Sequence, residues 1–252
     1  MRILLCGCNG KMGRVVTNLV AARCDCEIVA GVDINLESHA GFPVFGNPDN
    51  CAVEADVIID FSHPSGLPAI VRYARAKQLP LVVATTGLSE QDEQLLADAA
   101  ADTAIFKSAN MSLGISVLAE LCKVAAGILG DGFDVEIVEK HHNQKVDAPS
   151  GTALLLGKAV SSALPYEPQP VFDRHAVRKK RAPHEIGYSS VRGGTIPGEH
   201  DVLFCGHDEV ITLSHTAQSK ESFASGALSA AEFLLTKPAG FYTMADLVHV
   251  GI

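Results

Sequence analysis

The chain has 252 residues, of which 47% are hydrophobic and only 6% aromatic, and its formal net charge is −9. The length suits two modest domains, and a composition rich in Ala, Val, Leu and Gly favours helices packed on a parallel sheet. The negative charge argues against nucleic acid as a partner, so an anionic ligand would need a local cluster of cations. The seven cysteines form no C-x-x-C pair, which indicates free thiols in the reducing cytoplasm. We expect no signal peptide, no membrane partner and no window that approaches a transmembrane span.

The first half of the chain alternates short apolar strands with helical patterns. We predict strands at residues 3–6, 27–32, 57–61, 81–84 and 103–106. Helices occupy the intervals between them, and Ser89 is the expected N-cap of the helix before the last of these strands. Strands separated by helices predict a parallel sheet, whose ligands bind at the carboxyl ends of the strands.

A glycine-rich turn follows the first strand and opens the first helix. It spans Gly7 to Gly13 and reads G-x-x-G-x-x-G, a variant of the dinucleotide fingerprint. Glycines let the backbone approach a pyrophosphate, whose charge then lies at the helix N-terminus. A ligand-free turn is the alternative, but Asp33 ends the second strand 20 residues after Gly13 (33 − 13), where a ribose-binding carboxylate belongs. The context therefore favours dinucleotide binding.

The second half of the chain has a different organisation. Apolar residues at helical spacing predict a long helix over 115–129, and a strand is predicted from residue 134 to 138. A basic, Pro-containing stretch spans 165–183, and 200–206 with 208–214 predict an antiparallel hairpin that turns at Gly206-His207. The helix predicted at 221–235 again looks like Rossmann-type packing. We therefore predict an α/β protein in which residues 1–111 and 222–252 form a Rossmann domain and 112–221 form an inserted α+β domain.

One segment of the inserted domain concentrates chemically useful side chains. His141, His142 and Lys145 place three potential cations within five residues, and the stretch after Asp147 opens a helix with Ser150 as its N-cap. A helix N-terminus beside a hydroxyl and cations predicts a carboxylate site, where His and Lys can also supply protons. Metal binding is the rival interpretation for the histidine pair. Adjacent residues on an extended chain point to opposite sides, so we expect no metal.

The motifs as a set resemble those of one family. EIVEKHHNQKVDAPSGTA is similar to the signature of 4-hydroxy-tetrahydrodipicolinate reductases, also called dihydrodipicolinate reductases, of the diaminopimelate and lysine pathway. The resemblance runs nearly end to end, through GCNGKMGR, DFSHP, ATTGLS, SANMSLG, SVRGGTIPGEH and SHTAQSKESFASGAL. It implies that the Rossmann domain carries an inserted substrate-binding and oligomerisation domain, and that the protein is a homotetramer.

The resemblance also implies roles for particular residues. His141 would be the proton donor or acceptor and Lys145 a second proton donor, while His142, Ser150, Gly151 and Thr152 would bind a small cyclic dicarboxylate. The implied cofactor contacts are Gly7, Cys8, Asn9, Gly10, Lys11, Met12, Asp33, Ala84, Thr85, Thr86, Ser108, Ala109, Asn110 and Met111.

The cofactor implied by the resemblance is NADH or NADPH. Ile34 stands where relatives often have an Arg able to meet a 2′-phosphate, so NADH is mildly favoured. Two other classes stay open, namely a different small-substrate dehydrogenase and a non-catalytic NAD-binding regulator. The HH-x-x-K block disfavours the former, and a regulator would not need His141 and Lys145 beside a helix start.

Overall fold

The computed structural model of the chain describes residues 1–248. The strands of this range are β1 (Arg2–Cys6), β2 (Glu27–Val32), β3 (Val44–Phe45), β4 (Val57–Asp60), β5 (Leu81–Val83), β6 (Ala104–Lys107), β7 (Asp134–His141), β8 (Gln169–Val171), β9 (Glu185–Arg192), β10 (Gly198–Cys205), β11 (Val210–Ala217) and β12 (Gly240–Tyr242). The α-helices are α1 (Lys11–Ala21), α2 (Leu67–Lys77), α3 (Glu90–Ala99), α4 (Leu113–Leu129), α5 (Gly151–Ser161), α6 (Glu221–Leu234) and α7 (Met244–Leu247).

The chain divides into two compact units. The first comprises Met1–Leu113 and residues 220–248, and the second comprises Gly114–Ser219. The predicted domain junctions, at 111/112 and 221/222, each differ from these positions by two residues. The last four residues of the predicted Rossmann domain, 249–252, lie outside the described residues.

The first unit is built on a seven-stranded parallel sheet with the order β12-β6-β5-β4-β1-β2-β3. Its central strands are buried along nearly their whole length, as expected for strands covered by helices on both faces. The final long helix, α6, packs on this sheet through Ala227, Leu228 and Ala231. The predicted Rossmann-type parallel sheet is therefore confirmed, whereas the short strands β3 and β12 were not predicted.

The second unit contains a five-stranded mixed sheet with the order β11-β10-β7-β9-β8. β10 runs antiparallel to β7 and β11, while β9 runs parallel to β7 and β8. The predicted hairpin is confirmed as β10–β11, with Cys205 opposite Val210 across its turn. Along β7 the burial alternates, so that Val135 and Ile137 face the core of this unit together with Glu139 and His141.

The expectation that no window approaches a transmembrane span was wrong. Residues Leu113–Gly132 have a mean hydropathy of 1.7 and are long and apolar enough to cross a membrane by length and composition alone. Within α4, however, Ile115, Leu118 and Cys122 recur at helical spacing and pack into the core of the second unit. The core of a soluble protein contains helices of the same composition, because a helix packed on a sheet needs a wide apolar face.

Candidate active site

The glycine loop of the first unit is built so that a side chain would not fit. Gly7 has φ +75°, and a Cβ on it would lie 2.7 Å from the carbonyl carbon of Phe61. A Cβ on Gly13 would lie 2.2 Å from the carbonyl oxygen of Gly7. Gly10 precedes α1 without a side-chain cap, and no acidic residue lies in the first turn. The backbone is thus arranged to bring an anion to the start of α1.

Asp33 lies at the carboxyl end of β2 and is held by backbone groups. Its two carboxylate oxygens accept hydrogen bonds from the N–H groups of Asn9 (2.9 Å) and Asn35 (3.0 Å). The side-chain amide of Asn9 donates in turn to the carbonyl oxygens of Asn35 (2.6 Å) and Glu37 (2.9 Å). Asn9 therefore ties the glycine loop to the segment after Asp33, and Ile34 is left 99% exposed beside the carboxylate.

Two clefts open at the carboxyl edge of this sheet. The larger, of about 470 Å³, is lined by Gly7, Gly10 and Asp33, together with Ser65 and Gly66 of the 3₁₀ turn Pro64–Gly66. Its size suits the adenosine part of a dinucleotide. The turn was not predicted to contribute, although the DFSHP motif contains its first residue.

The smaller cleft, of about 260 Å³, lies against the loops after β5 and β6. It brings together the predicted cofactor residues Met12, Ala84, Thr85, Thr86, Ala109, Asn110 and Met111, and adds Phe61, Ser62 and Phe223. The aromatic residues were missed because each is an isolated apolar position in its own element.

Four predicted cofactor residues line neither cleft, namely Cys8, Asn9, Lys11 and Ser108, and the Asn9 amide binds the segment after Asp33 instead. Cys8 is buried, its sulfur packs against Gly31, and burial raises the pKa of its thiol to about 11. The Ser108 hydroxyl donates to the carbonyl oxygen of Asn110 (2.7 Å), so it shapes the loop. Lys11 is exposed on the first turn of α1.

Asp60 is a further residue of this edge that sequence reasoning missed. It is fully buried at the end of β4, where it accepts hydrogen bonds from the Ser62 N–H (2.9 Å) and the Thr85 hydroxyl (2.8 Å). Burial raises its pKa. Asp60 therefore joins the loops after β4 and β5, whose residues Ser62 and Thr85 line the smaller cleft.

The second unit places the predicted acid in a buried polar cluster. Nδ1 of His141 lies 2.5 Å from Oε2 of Glu139, which is two residues earlier on the same face of β7. Arg192 binds both oxygens of Glu139, with Nη1–Oε2 and Nη2–Oε1 each at 2.7 Å. Burial raises the pKa of Glu139, but hydrogen bonds from Arg192, Ser190 and His141 outweigh burial and bring this pKa down to about 2. The carboxylate is thus ionised at neutral pH.

Lys145 lies in the loop that follows this cluster. Its Nζ pairs with Oδ1 of Asp147 at 2.8 Å, which lowers the pKa of the Asp147 carboxyl. Asp147 also interacts with the backbone of Gly151 at the start of α5. His142 joins the turn through its carbonyl oxygen, which accepts from the N–H of Lys145 (3.2 Å). The Asp147 carboxylate therefore links the Lys145 ammonium to the start of α5.

The start of α5 is held by Ser150, which is buried. Its hydroxyl accepts from the N–H of Ala153 (3.1 Å), as an N-cap does, and lies 3.0 Å from Nε2 of His200. Its own N–H donates to Glu139 (3.2 Å). The hydroxyl therefore stabilises the helix end, while Gly151 is exposed and Thr152 half-buried on the first turn.

His200 completes the cluster from β10. It is 4% exposed, and its ring meets that of His141 edge to face with centroids 5.1 Å apart. Burial first, and then the nearby His141, lower its pKa to about 4. The sequence did not lead us to predict a role for Glu139, Arg192 or His200, although each lies in one of the motifs that resemble the family. The signal for Glu139 was its inward position in the alternating pattern of β7.

The parallel sheet, the glycine loop and Asp33 define a Rossmann-type, nicotinamide-dependent oxidoreductase with a second domain that carries a His–Lys cluster. Two family models match the chain, described as dihydrodipicolinate reductase N-terminus over residues 1–111 and C-terminus over residues 114–248. The chain belongs to the dihydrodipicolinate reductase family.

Individual relatives agree with this assignment. The 4-hydroxy-tetrahydrodipicolinate reductase of Caldanaerobacter subterraneus subsp. tengcongensis is 51% identical, and the alignment covers 100% of this chain and 99% of the relative. The enzyme of the same name from Clostridium tetani is 48% identical, with 99% and 97% covered. A solved structure, the dipicolinate-bound dihydrodipicolinate reductase from Paenisporosarcina sp. TG-14, shares the fold with a TM-score of 0.81 at 23% identity, covering 98% of this chain and 99% of that chain.

Proposed function

We propose that the chain reduces 4-hydroxy-tetrahydrodipicolinate, a cyclic dicarboxylate, at the expense of NADH or NADPH in lysine and diaminopimelate biosynthesis. The observation that carries the proposal is the full-length match to reductases of that name. The segment by which this sequence resembles the family contains His141 and Lys145. A nicotinamide cofactor supplies the hydride. It would be held by the predicted residues of the glycine loop, Asp33 and the loops at 84–86 and 108–111.

The second unit would bind the substrate and supply a proton. His141 has one ring nitrogen engaged with Glu139, so the other nitrogen, Nε2, is the one that can pass a proton to the substrate. Lys145 would assist as a second donor and would neutralise a substrate carboxylate. His142, Ser150, Gly151 and Thr152 would complete the carboxylate site at the start of α5, where the helix dipole favours an anion.

A coupled assay tests the function. Purified protein should oxidise NADH or NADPH only when the cyclic dicarboxylate is supplied, as followed by the absorbance of the reduced nicotinamide. His141→Gln and Lys145→Met should lower kcat by roughly 10²–10⁴, the usual range for a lost acid–base group, with little change in cofactor affinity. Folded protein that turns over with neither cofactor would show the proposal to be wrong.

We further propose a modest preference for NADH. The Asp33 carboxylate is fixed by two N–H donors and would repel a 2′-phosphate, and the neighbouring Ile34 brings no positive charge. Arg14 limits the effect, because its positive charge lies close to Asp33: its Nε donates to the carbonyl oxygen of Asn9 (3.2 Å), and the N–H of Asn9 donates to the Asp33 carboxylate. A repulsion on the order of 1–3 kcal/mol corresponds to a ratio of roughly 5- to 100-fold in kcat/KM. Ile34→Arg should shrink this ratio and Lys11→Ala should enlarge it, whereas a wild-type preference for NADPH would contradict the role given to Asp33.

We propose a cytoplasmic homotetramer. All seven cysteines are free, as a reducing compartment would leave them. Val191, Val210 and Ile211 expose apolar side chains on the sheet of the second unit, which would suit contact between subunits. Light scattering coupled to gel filtration should give four times the mass of the 26.5 kDa chain, and a monomer would contradict this proposal.

A further inference from the structure

We propose that Glu139 is a positioning residue for the proton chemistry of His141. Its carboxylate, clamped by Arg192, keeps Nδ1 of the imidazole protonated and leaves Nε2 as the nitrogen that gains and loses the proton. This inference rests on the proposed function, because it takes His141 as the group that protonates the substrate.

The position of Glu139 is a costly one for a carboxylate. It faces the core of the second unit on β7 and is 1% exposed, a position that ordinarily holds an apolar side chain. A buried charge is tolerated only when it is paired and fully hydrogen-bonded. Glu139 meets that condition through two bonds from Arg192, one from the N–H of Ser150 and the contact with His141. The carboxylate therefore has a fixed position and a fixed charge.

The hydrogen bond between Glu139 and His141 has only one possible direction. An ionised carboxylate can only accept, so Nδ1 must carry a hydrogen whether the ring is neutral or charged. Among the described residues, no other side chain engages Nε2 of His141. When the ring acts as an acid, the Nε2–H bond breaks, its proton moves to the substrate, and a neutral ring with Nδ1–H remains beside an unchanged Glu139.

The space around Nε2 of His141 is restricted. A Cβ built on Gly198 would lie 3.1 Å from Nε2 of His141, so this glycine leaves just enough room for the ring edge. His200 also borders the ring, edge to face. A ring confined in this way needs its orientation set in advance, and the bond from Nδ1 to Glu139 sets it.

A purely structural role for Glu139 is the competing explanation, and the chain offers a matched control for it. Glu185 is another buried carboxylate of the same sheet, 3% exposed and paired with Nη1 of Arg174 at 2.7 Å. It does not contact His141 by any hydrogen bond or ion pair in the described part of the chain. Glu185→Gln therefore removes a comparable buried ion pair without touching the imidazole.

The test compares Glu139→Gln, Glu139→Asp and Glu185→Gln with the wild type. The tautomer of His141 is read from ring ¹⁵N shifts at about pH 9, where a free imidazole is neutral, and is assigned with His141→Gln. We expect Nδ1–H in the wild type and a mixture or Nε2–H in Glu139→Gln, because the amide can donate to Nδ1. We also expect kcat to fall 10- to 10³-fold in Glu139→Gln with KM changed less than threefold, partial rescue in Glu139→Asp, and unchanged kcat in Glu185→Gln.

Each result has a defined meaning. Retention of the Nδ1–H tautomer and of kcat in Glu139→Gln would overturn the inference, as would an equal loss of kcat in Glu185→Gln. If Glu139→Gln does not fold, Glu139→Asp takes its place, because its carboxylate is withdrawn from Nδ1 by one methylene, and an unchanged kcat in this variant would overturn the inference. The tautomer is measured without substrate. A wild type that shows Nδ1–H but no turnover would therefore contradict the proposed function and leave the assigned tautomer of His141 intact.

Discussion

Replacing His200 by Gln should remove much of the acid sensitivity of the fold. The His200 imidazole is 4% exposed, its Nε2 lies 3.0 Å from the hydroxyl of Ser150, and its Nδ1 is buried without a hydrogen-bond partner. Such a ring is tolerated as a neutral group, whereas protonation would bury a charge next to His141. This accounts for a pKa lowered from 6.5 to about 4.

The size of the effect follows from proton linkage. The unfolded chain binds a proton at His200 below about pH 6.5, but the folded protein does not until about pH 4. The contribution of neutral His200 is therefore full above pH 6.5 and is lost as the pH falls through the folded value. At 1.36 kcal/mol for each pKa unit, the free energy of unfolding should fall by about 2 kcal/mol between pH 7 and pH 5 from this residue.

Urea unfolding at pH 7 and pH 5, followed by circular dichroism and tyrosine fluorescence, measures this dependence. His200→Gln keeps a polar group near Ser150 but cannot titrate, so its stability should depend less on pH than that of the wild type by about 2 kcal/mol. His207→Gln is the control, because His207 lies in the β10–β11 turn with 96% of its side chain exposed. If the wild type and His200→Gln lose equal stability between the two pH values, His200 is not buried as a neutral ring.

Three further substitutions test other parts of the structure. Gly13→Ala would push a methyl group against the carbonyl oxygen of Gly7, so NADH affinity in a fluorescence titration should fall at least roughly 10-fold. Unchanged affinity would show that the glycine loop can move to accommodate the methyl group. Burial raises the pKa of Asp60, so the contribution of this carboxyl to the stability of the fold is lost as the pH rises through its raised folded-state pKa. Asp60→Asn cannot ionise, and its Tm at pH 8 should therefore be no lower than that of the wild type. Gly198→Ala would press on Nε2 of His141 and should lower kcat roughly 10-fold or more with NADH affinity unaltered; equal turnover would count against the confined ring.

Features with a local cause could be predicted from the sequence. The N-caps at Ser89 and Ser150 both appear where the pattern placed them, and the structure adds a capping box between Ser89 and Asp92. The glycine loop is equally local, because the turn between β1 and α1 has no room for a Cβ at Gly7 or Gly13. The alternation of strands and helices predicted the parallel sheet, since apolar strands joined by crossover helices pair in no other common way.

Other features depend on which strands become neighbours. β3 has two residues and β12 three, too few to show a periodicity, so their places at the two edges of the sheet follow from pairing with β2 and β6. The mixed order of the second sheet also has no signature within any one strand. This order arises because β7 pairs with both β9 and β10. The registers of these two pairings place residues that are far away in the sequence beside the carboxyl end of β7.

The sequence by itself determined the residue types of the site and the loops that carry them, because His141 and Lys145 lie close together in one motif. Only the tertiary structure decided what surrounds His141. Arg192 is 53 residues from Glu139, and His200 is 50 residues from Ser150, yet these side chains meet across neighbouring elements. A buried carboxylate or imidazole is stable only with such partners, and strand register supplies them.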